Sequence, residues 1–369
     1  MVATVAATIG SFNMENIKIL QNMGYSVDVA ADFNDLSVWS AERLKAFKTQ
    51  LHELNIEAIQ LDFSRSPLKI GKHIDSYKNA VKLLEERRYS FIHTHTPIAS
   101  AIIRLAAHKT NTKVIYTAHG FHFYDGAPLK NWIIFYPVEK FLSKWTEILI
   151  TINQEDYERA KNHFRAKKTV YVPGVGVDTK KFSNRENGRK AIRKELGIDE
   201  NRVILLSVGE LNQNKNHEAV IEALKGIDIT YVIVGKGELK ERLETVAKES
   251  GVDLRLMGFR SDVANFYDAA DIYILPSIRE GLNVSLMEAM ASSLPCLCGD
   301  IRGNVDLIDE NGGYLFDPNR IEDIHNAIGK ALDNRKGMGV YNLQKIKAFD
   351  LKAVTDLTSE IYGGGGTTI

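Results

Sequence analysis

The stretch IYILPSIREGLNVSLMEAMASSLPCLC, residues 272–298, decides the architecture. It opens on a short apolar run, Ile272–Leu275, breaks at Pro276 and stays irregular to Asn283. A run of good helix formers, 284–291, follows, and then a second strand-like run, Pro295–Cys298. Strand, loop, helix and strand in so short a span form a crossover unit of a parallel sheet wrapped by helices.

The same alternation extends in both directions. Strands are expected at Val203–Val208, Thr230–Val234, Leu254–Met257, Ile272–Leu275, Pro295–Cys298 and Tyr314–Phe316. An earlier series falls at Val2–Thr8, Ser26–Ala30, Phe91–His93, Val114–Thr117, Ile148–Ile152 and Thr169–Val172. Two series mean two doubly wound α/β domains. PGVGVDTKKF and the polar SNRENGRKAIRKELGIDENR place the boundary within 173–201, giving domains over 1–185 and 186–350. The glycine-rich end, 363–369, has no periodicity and reads as a disordered tail.

The 369 residues are 44% hydrophobic and 25% charged, with 47 basic and 47 acidic side chains, which excludes disordered and fibrous classes. Zero net charge argues against a nucleic-acid partner. The balance is uneven along the chain: Met1–Arg185 holds 25 basic and 18 acidic residues, Glu186–Ile369 holds 22 and 29. Two cysteines, Cys296 and Cys298, cannot build a disulfide framework, and no apolar run approaches a membrane span. A cytoplasmic setting is expected.

Ligands of open parallel sheets bind beyond the carboxyl ends of the strands. In 276–295 that place holds Glu280, Gly281 and the start of a helix, whose free N–H groups suit a phosphate. Glu280 and Glu288 are separated by seven residues and suit sugar hydroxyls, since carboxylates repel phosphate. FIHTHTPIASAI at 91–102 and VIYTAHGFHFYDG at 114–126 place His93, His95, His119 and His122 after two neighbouring strands. Their spacing is poor for a metal and no carboxylates are grouped with them, so no metal is expected and His93 reads as a core histidine. Gly235 and Gly237 lack the third glycine of a dinucleotide fingerprint, which weakens a dehydrogenase reading.

Two glutamates seven residues apart, preceded by PS and followed by an alanine-rich helix and a strand with proline, resemble the donor site of family-4 retaining glycosyltransferases with the GT-B fold. SVGELNQNKNHEAV at 207–220, VIVGKGEL at 232–239, MGFRSDVANFYDAADIYILPS at 257–277 and NGGYLFDP at 311–318 follow in family order. The resemblance implies two Rossmann-like domains facing across a cleft, with a final helix near 351–362 crossing back to the first. It implies that Glu288 binds ribose and Glu280 the donor sugar. The N–H groups of Asn283, Val284 and Ser285 would hold the diphosphate beside Lys215, with Gly209 in the Lys215 motif and Arg260 against the base. His119 would lie by the donor sugar and diphosphate, and His95 with His122 on the acceptor side. Gly10, in IGSFN at 9–13, would be a loop glycine approaching the diphosphate. One departure stands out: the family's usual arginine five positions before the lysine is Glu210, for which Arg260 or Arg279 would compensate.

TAHGFHFYDGAPLKNW and TINQEDYERA resemble bacterial capsule and exopolysaccharide transferases, which implies a UDP-sugar donor, a polyprenyl-diphosphate-linked saccharide acceptor and no cofactor. A UDP-sugar epimerase of the same fold and a non-catalytic partner subunit are the alternatives. The aromatic and lysine-rich segment 127–145, split or kinked by Pro137, and the basic run RAKNHFRAKK at 159–168 suit an anionic membrane surface, which implies a peripheral position on its inner face.

Overall fold

The computed structural model describes residues 1–182 and 186–364. The chain divides into two compact units, Met1–Val175 with Val354–Ile369, and Gly176–Ala353. The division, between Val175 and Gly176, lies inside the 173–201 segment and ahead of 185. The final helix, Leu351–Gly364, takes in the first two residues expected to be disordered, and 365–369 lie outside the described residues.

The first unit holds seven parallel strands, β1 (Val2–Val5), β2 (Asp28–Asp32), β3 (Glu57–Gln60), β4 (Phe91–His95), β5 (Lys113–Ala118), β6 (Ile148–Thr151) and β7 (Lys168–Tyr171), in the order β3-β2-β1-β4-β5-β6-β7. The second holds six, β8 (Ile204–Val208), β9 (Thr230–Val234), β10 (Asp253–Leu256), β11 (Ile272–Leu275), β12 (Cys296–Gly299) and β13 (Gly313–Phe316), in the order β10-β9-β8-β11-β12-β13. Strand β3 has no counterpart in the sequence reading. It is an edge strand of sequence EAIQ without a fully buried residue, so it carries no apolar run.

Burial on both faces explains the near-continuous apolar strands. In the second unit Leu206, Val232, Tyr273 and Leu275 enter one core cluster, while Leu205, Tyr231, Ile233, Ile272 and Ile274 enter the other. The period of two divides each strand between opposite helical layers. Cys296 and Cys298 are both free, buried and in the same cluster. Each fully buried large aliphatic side chain contributes about 1.5–3 kcal/mol relative to exposure.

In each sheet the chain reverses direction once. The switch points lie between β1 and β4 and between β8 and β11, where loops leave in opposite directions and open a crevice at the carboxyl edge. Among the described residues no helix is long and apolar enough to cross a membrane.

Candidate functional site

At the switch point of the second unit the two flanking loops are locked together. After β8, the Asn212 side chain accepts the Lys215 N–H at 3.0 Å and shapes the tight turn Gln213–Lys215. Asn214 then bridges to the loop after β11: its carbonyl accepts the Ile278 N–H at 2.9 Å and its Nδ2 donates to the Arg279 carbonyl at 3.0 Å. Lys215 Nζ closes the bridge on Glu280 Oε1 at 2.6 Å, with only 17% and 13% of the two side chains exposed. Gly209 runs beside the Lys215 stem.

Two glycines make room for this arrangement. A Cβ on Gly235 would strike the Gly209 carbonyl, and one on Gly237 the Leu211 carbonyl. Both let the loop after β9 lie on the loop after β8, where Leu211 and Lys236 share a backbone hydrogen bond of 3.0 Å. Their place in the sequence is a packing requirement.

Gly281 and Leu282 lead to the helix Val284–Ala291. Asn283 caps it, its side chain accepting the Leu286 N–H at 3.1 Å. The N–H groups of Asn283, Val284 and Ser285 meet no acceptor among the described residues, so the positive end of the helix presents three donors. The Ser285 hydroxyl is engaged behind them, 2.7 Å from Tyr273 OH and 2.9 Å from the Val208 carbonyl. One turn on, Glu288 accepts a 2.8 Å hydrogen bond from the Tyr267 hydroxyl. Burial pushes its carboxyl above the ordinary value, with the Tyr267 bond acting the other way.

Arg260 is held by two carboxylates, Glu195 at 2.7 Å and Asp262 at 2.8 Å, and lies over the Phe266 ring. Glu210 is exposed and takes a 2.8 Å hydrogen bond from Asn212. The sequence reading missed Arg302, which is 8% exposed and has Nη2 3.3 Å from the Glu280 carbonyl. It also missed Asn214. An arginine just after β12, at the carboxyl edge, was the available signal for the first; nothing local marked the second.

In the first unit, β4 and β5 run in register with His95 opposite Thr117, which brings the histidines together. His95 Nδ1 and His119 Nε2 share a 3.1 Å hydrogen bond, and His93 bonds Tyr362 OH at 2.7 Å and Thr117 Oγ1 at 2.8 Å. Burial drives all three imidazoles to the neutral form, His119 down to about 4, His93 to about 3 and His95 well below its ordinary value. Only His119 is partly open to solvent. His95 is 1% exposed, so it backs His119 instead of lining an acceptor surface. His122 is half-buried on the Phe135 ring, 4.6 Å between centroids.

Gly10 requires a correction. The first strand ends at Val5 and the chain turns at once into the helix Ala6–Phe12, so Gly10 is helical and its missing side chain makes room for the Trp39 ring. Pro137 likewise fails to split its segment, which forms one helix, Leu129–Ser143. The basic run 159–168 is not one helix face. It spans the end of the helix Gln154–His163 and the start of β7, with Arg159 paired to Asp125 and Glu155 and Lys167 to Glu147.

Known proteins match this arrangement. The profile of glycosyl transferases group 1 covers residues 188–345, and that of Glycosyltransferase Family 4 covers residues 12–181. EpsD of Bacillus subtilis is 36% identical over 85% of this chain and 82% of its own length. The UDP-Gal:alpha-D-GlcNAc-diphosphoundecaprenol alpha-1,3-galactosyltransferase of Escherichia coli is 31% identical over 73% of each chain. Among solved structures, Anabaena HepE in complex with UDP and glucose superposes with a TM-score of 0.77 at 18% identity, covering 98% of each chain. WaaG, involved in lipopolysaccharide biosynthesis, gives 0.70 at 18% identity over 99% of this chain and all of that one. With its two parallel sheets, its paired switch-point loops and these matches, the chain is a glycosyltransferase of the GT-B fold and belongs to Glycosyltransferase Family 4.

Proposed function

We propose that this glycosyltransferase moves a hexose or N-acetylhexosamine from a UDP-sugar to a polyprenyl-diphosphate-linked saccharide, with retention at the anomeric carbon, in exopolysaccharide or capsule synthesis. The observation that carries the donor reading is the Lys215–Glu280 pair beside three free N–H groups at one switch point. A diphosphate leaving group gathers charge as the glycosidic bond breaks. Lys215 and the helix N-terminus supply positive charge where it develops, without a metal or cofactor. Glu280, released from Lys215 by the phosphate, turns its carboxylate to sugar hydroxyls. Glu288 accepts from ribose hydroxyls with its Tyr267 bond fixing its orientation. Arg302 adds a buried cation beside the Glu280 loop, where the family's usual arginine has given way to Glu210. His119 stays neutral and takes the place by sugar and diphosphate that the family resemblance implies.

The acceptor reading is supported by the E. coli relative, whose name states a diphosphoundecaprenol substrate. It is also supported by the helix Leu129–Ser143. Trp132, Phe135 and Tyr136 pack inward on Phe121 and Phe123, while Leu129, Ile133, Ile134, Val138 and Phe141 remain 47–73% exposed. Lys130 and Lys144 flank that outward apolar face, and Lys161, Arg165 and Lys168 of the basic run are exposed. Such a face suits the headgroup boundary of an anionic inner leaflet.

A thermal-shift panel of UDP, GDP and their sugars tests the donor. UDP and its sugar should raise the melting temperature of the wild type and not of Glu288→Ala. A melting temperature unmoved by every nucleotide refutes the donor site. Transfer from the stabilising UDP-sugar to a polyprenyl-diphosphate saccharide, with the anomeric configuration read by NMR, tests acceptor and stereochemistry together.

A further inference from the structure

The loop after β3 leaves the sheet at its carboxyl edge and, with the first turn of the helix Ile70–Arg87 that follows it, carries SRSPLKIGKHI at 64–74, with Arg65, Lys69 and Lys72 and no acid. Its polar groups are tied to one another. Ser66 N–H donates to Ser64 Oγ at 3.2 Å, Lys69 N–H donates to the Ser66 carbonyl at 3.3 Å, and His73 Nε2 meets that carbonyl at 3.0 Å. Leu61 and Phe63 are buried at its root. The turn closes on itself, and its aliphatic side chains are left exposed: Leu68 is 86% exposed, Ile70 65% and Ile74 49%. The neighbouring loop after β2 adds Leu36 and Val38, each more than half exposed, and its Asp35 feels the charge of Arg65.

Single apolar residues on a surface need no explanation, whereas adjoining exposed ones interleaved with cations mark an interaction surface. This one protrudes. Side chains this exposed can enter a bilayer while lysine stems reach back to the phosphates. The helix Ile70–Arg87 packs on Pro97–Thr110, which packs on Leu129–Ser143, so the tip belongs to the same helical layer as the apolar face proposed above to meet the membrane. Leu105 on the middle helix is also exposed.

We propose that segment 64–74, the loop after β3 with the first turn of the helix Ile70–Arg87, is a second membrane-contacting element, placing Leu68 and Ile70 in the headgroup–acyl boundary of an anionic bilayer while Arg65, Lys69 and Lys72 meet lipid phosphates. The inference rests on the reading that the acceptor is membrane-borne, and makes the attachment a two-point contact that fixes how the first unit is presented to the lipid.

Co-sedimentation of the full chain with phosphatidylcholine vesicles, with and without phosphatidylglycerol, provides the test. Leu68→Ser with Ile70→Ser should weaken partitioning about tenfold or more while the melting temperature holds, because both residues are exposed. Lys69→Gln with Lys72→Gln should weaken it about fivefold per charge, and only on anionic vesicles. Transfer to a soluble short-chain acceptor should be unchanged in both. If the serine variant pellets like the wild type while Ile133→Ser with Ile134→Ser does not, the loop assignment falls and the helix reading stands. If the wild type itself ignores both vesicles, both fall. Loss of soluble-acceptor transfer without loss of vesicle binding would assign the tip to another occupant and also overturn the proposal.

Discussion

Lys215 and Glu280 neutralise each other at 2.6 Å with little solvent around them, so on the proposed donor reading a diphosphate displaces a carboxylate to reach the ammonium. The exchange favours the donor because a diphosphate carries more charge than Glu280 and also collects the free N–H groups at Asn283–Ser285. Lys215→Ala should lower kcat by about 10²–10³-fold, measured as UDP release in the presence of acceptor, with Lys215→Arg recovering part of it. Retention of wild-type kcat in Lys215→Ala would remove lysine from the mechanism. Glu288 carries a different cost. Its carboxyl is held above its ordinary value by burial, so the folded protein binds more protons than the unfolded chain between the two values, and stability declines as pH rises through that window. Glu288→Gln should therefore raise the melting temperature of the ligand-free protein at neutral pH while weakening UDP-sugar binding about tenfold, since the amide accepts less strongly from ribose. Calorimetry and a donor titration on the same variant check both signs. A variant that binds donor normally would show that this residue serves packing alone.

The elements that carry these residues were legible to different degrees, and the differences have physical causes. The interior strands announce themselves because burial on both faces demands continuous apolar runs; edge strands such as β7 and β10 still keep enough apolar residues to be read, whereas β3, EAIQ at an edge, does not. The helix Val284–Ala291 and its Asn283 cap are local chemistry and read directly from residues. Gly10 misled because a glycine near a first strand suits a ligand loop and a crowded helix equally, and the Trp39 ring that decides between them is distant in sequence. Pro137 sits on the exposed side of its helix, where water can satisfy the carbonyl it leaves unpaired. That helix owes its attachment to a charge the sequence does not advertise: Glu139 is buried against Arg104 at 2.7 Å, and the Arg104 guanidinium lies 4.4 Å from the Tyr116 ring centroid. Removing one partner strands the other, so Arg104→Met or Glu139→Gln should each destabilise by about 3–5 kcal/mol in urea unfolding. A double Arg104→Met with Glu139→Leu should recover much of the loss. Single variants as stable as the wild type would mean the helix is anchored by its aromatics alone, and loss unchanged in the double variant would mean that the pair itself, not a stranded charge, carries the cost.

At the scale of the molecule, net charge zero hides two unlike halves, and the same inequality appears in how the units respond to acid. Among the described residues the first unit buries His93, His95 and His119 as neutral imidazoles, whereas the second buries His217, which burial lowers to about 4. A histidine whose folded pKa is depressed gives its full stability above the unfolded value of about 6.5, and that stability is lost as pH falls from there toward the folded value. The fully buried His93, His95 and His217 each lose stability steadily across that window. In the second unit Glu288 works the other way, because its raised carboxyl takes up a proton more readily folded than unfolded and offsets part of the cost of His217. The depressed carboxylates, such as Asp309 at about 2, lose their contribution only below the ordinary carboxylate range, outside this window. Acidification from about pH 7.5 to about pH 5 should therefore lower the unfolding transition of the first unit more than that of the second. Scanning calorimetry would resolve this as one endotherm splitting into two, with the lower one assigned by the loss of UDP-induced stabilisation confined to the upper. His93→Gln, which keeps a hydrogen-bonding side chain between Tyr362 and Thr117 but cannot titrate, should flatten the pH dependence of the lower transition. Equal displacement of both transitions, or a lower transition as pH-sensitive in His93→Gln as in the wild type, would mean that the buried imidazoles do not set the acid limit of the fold.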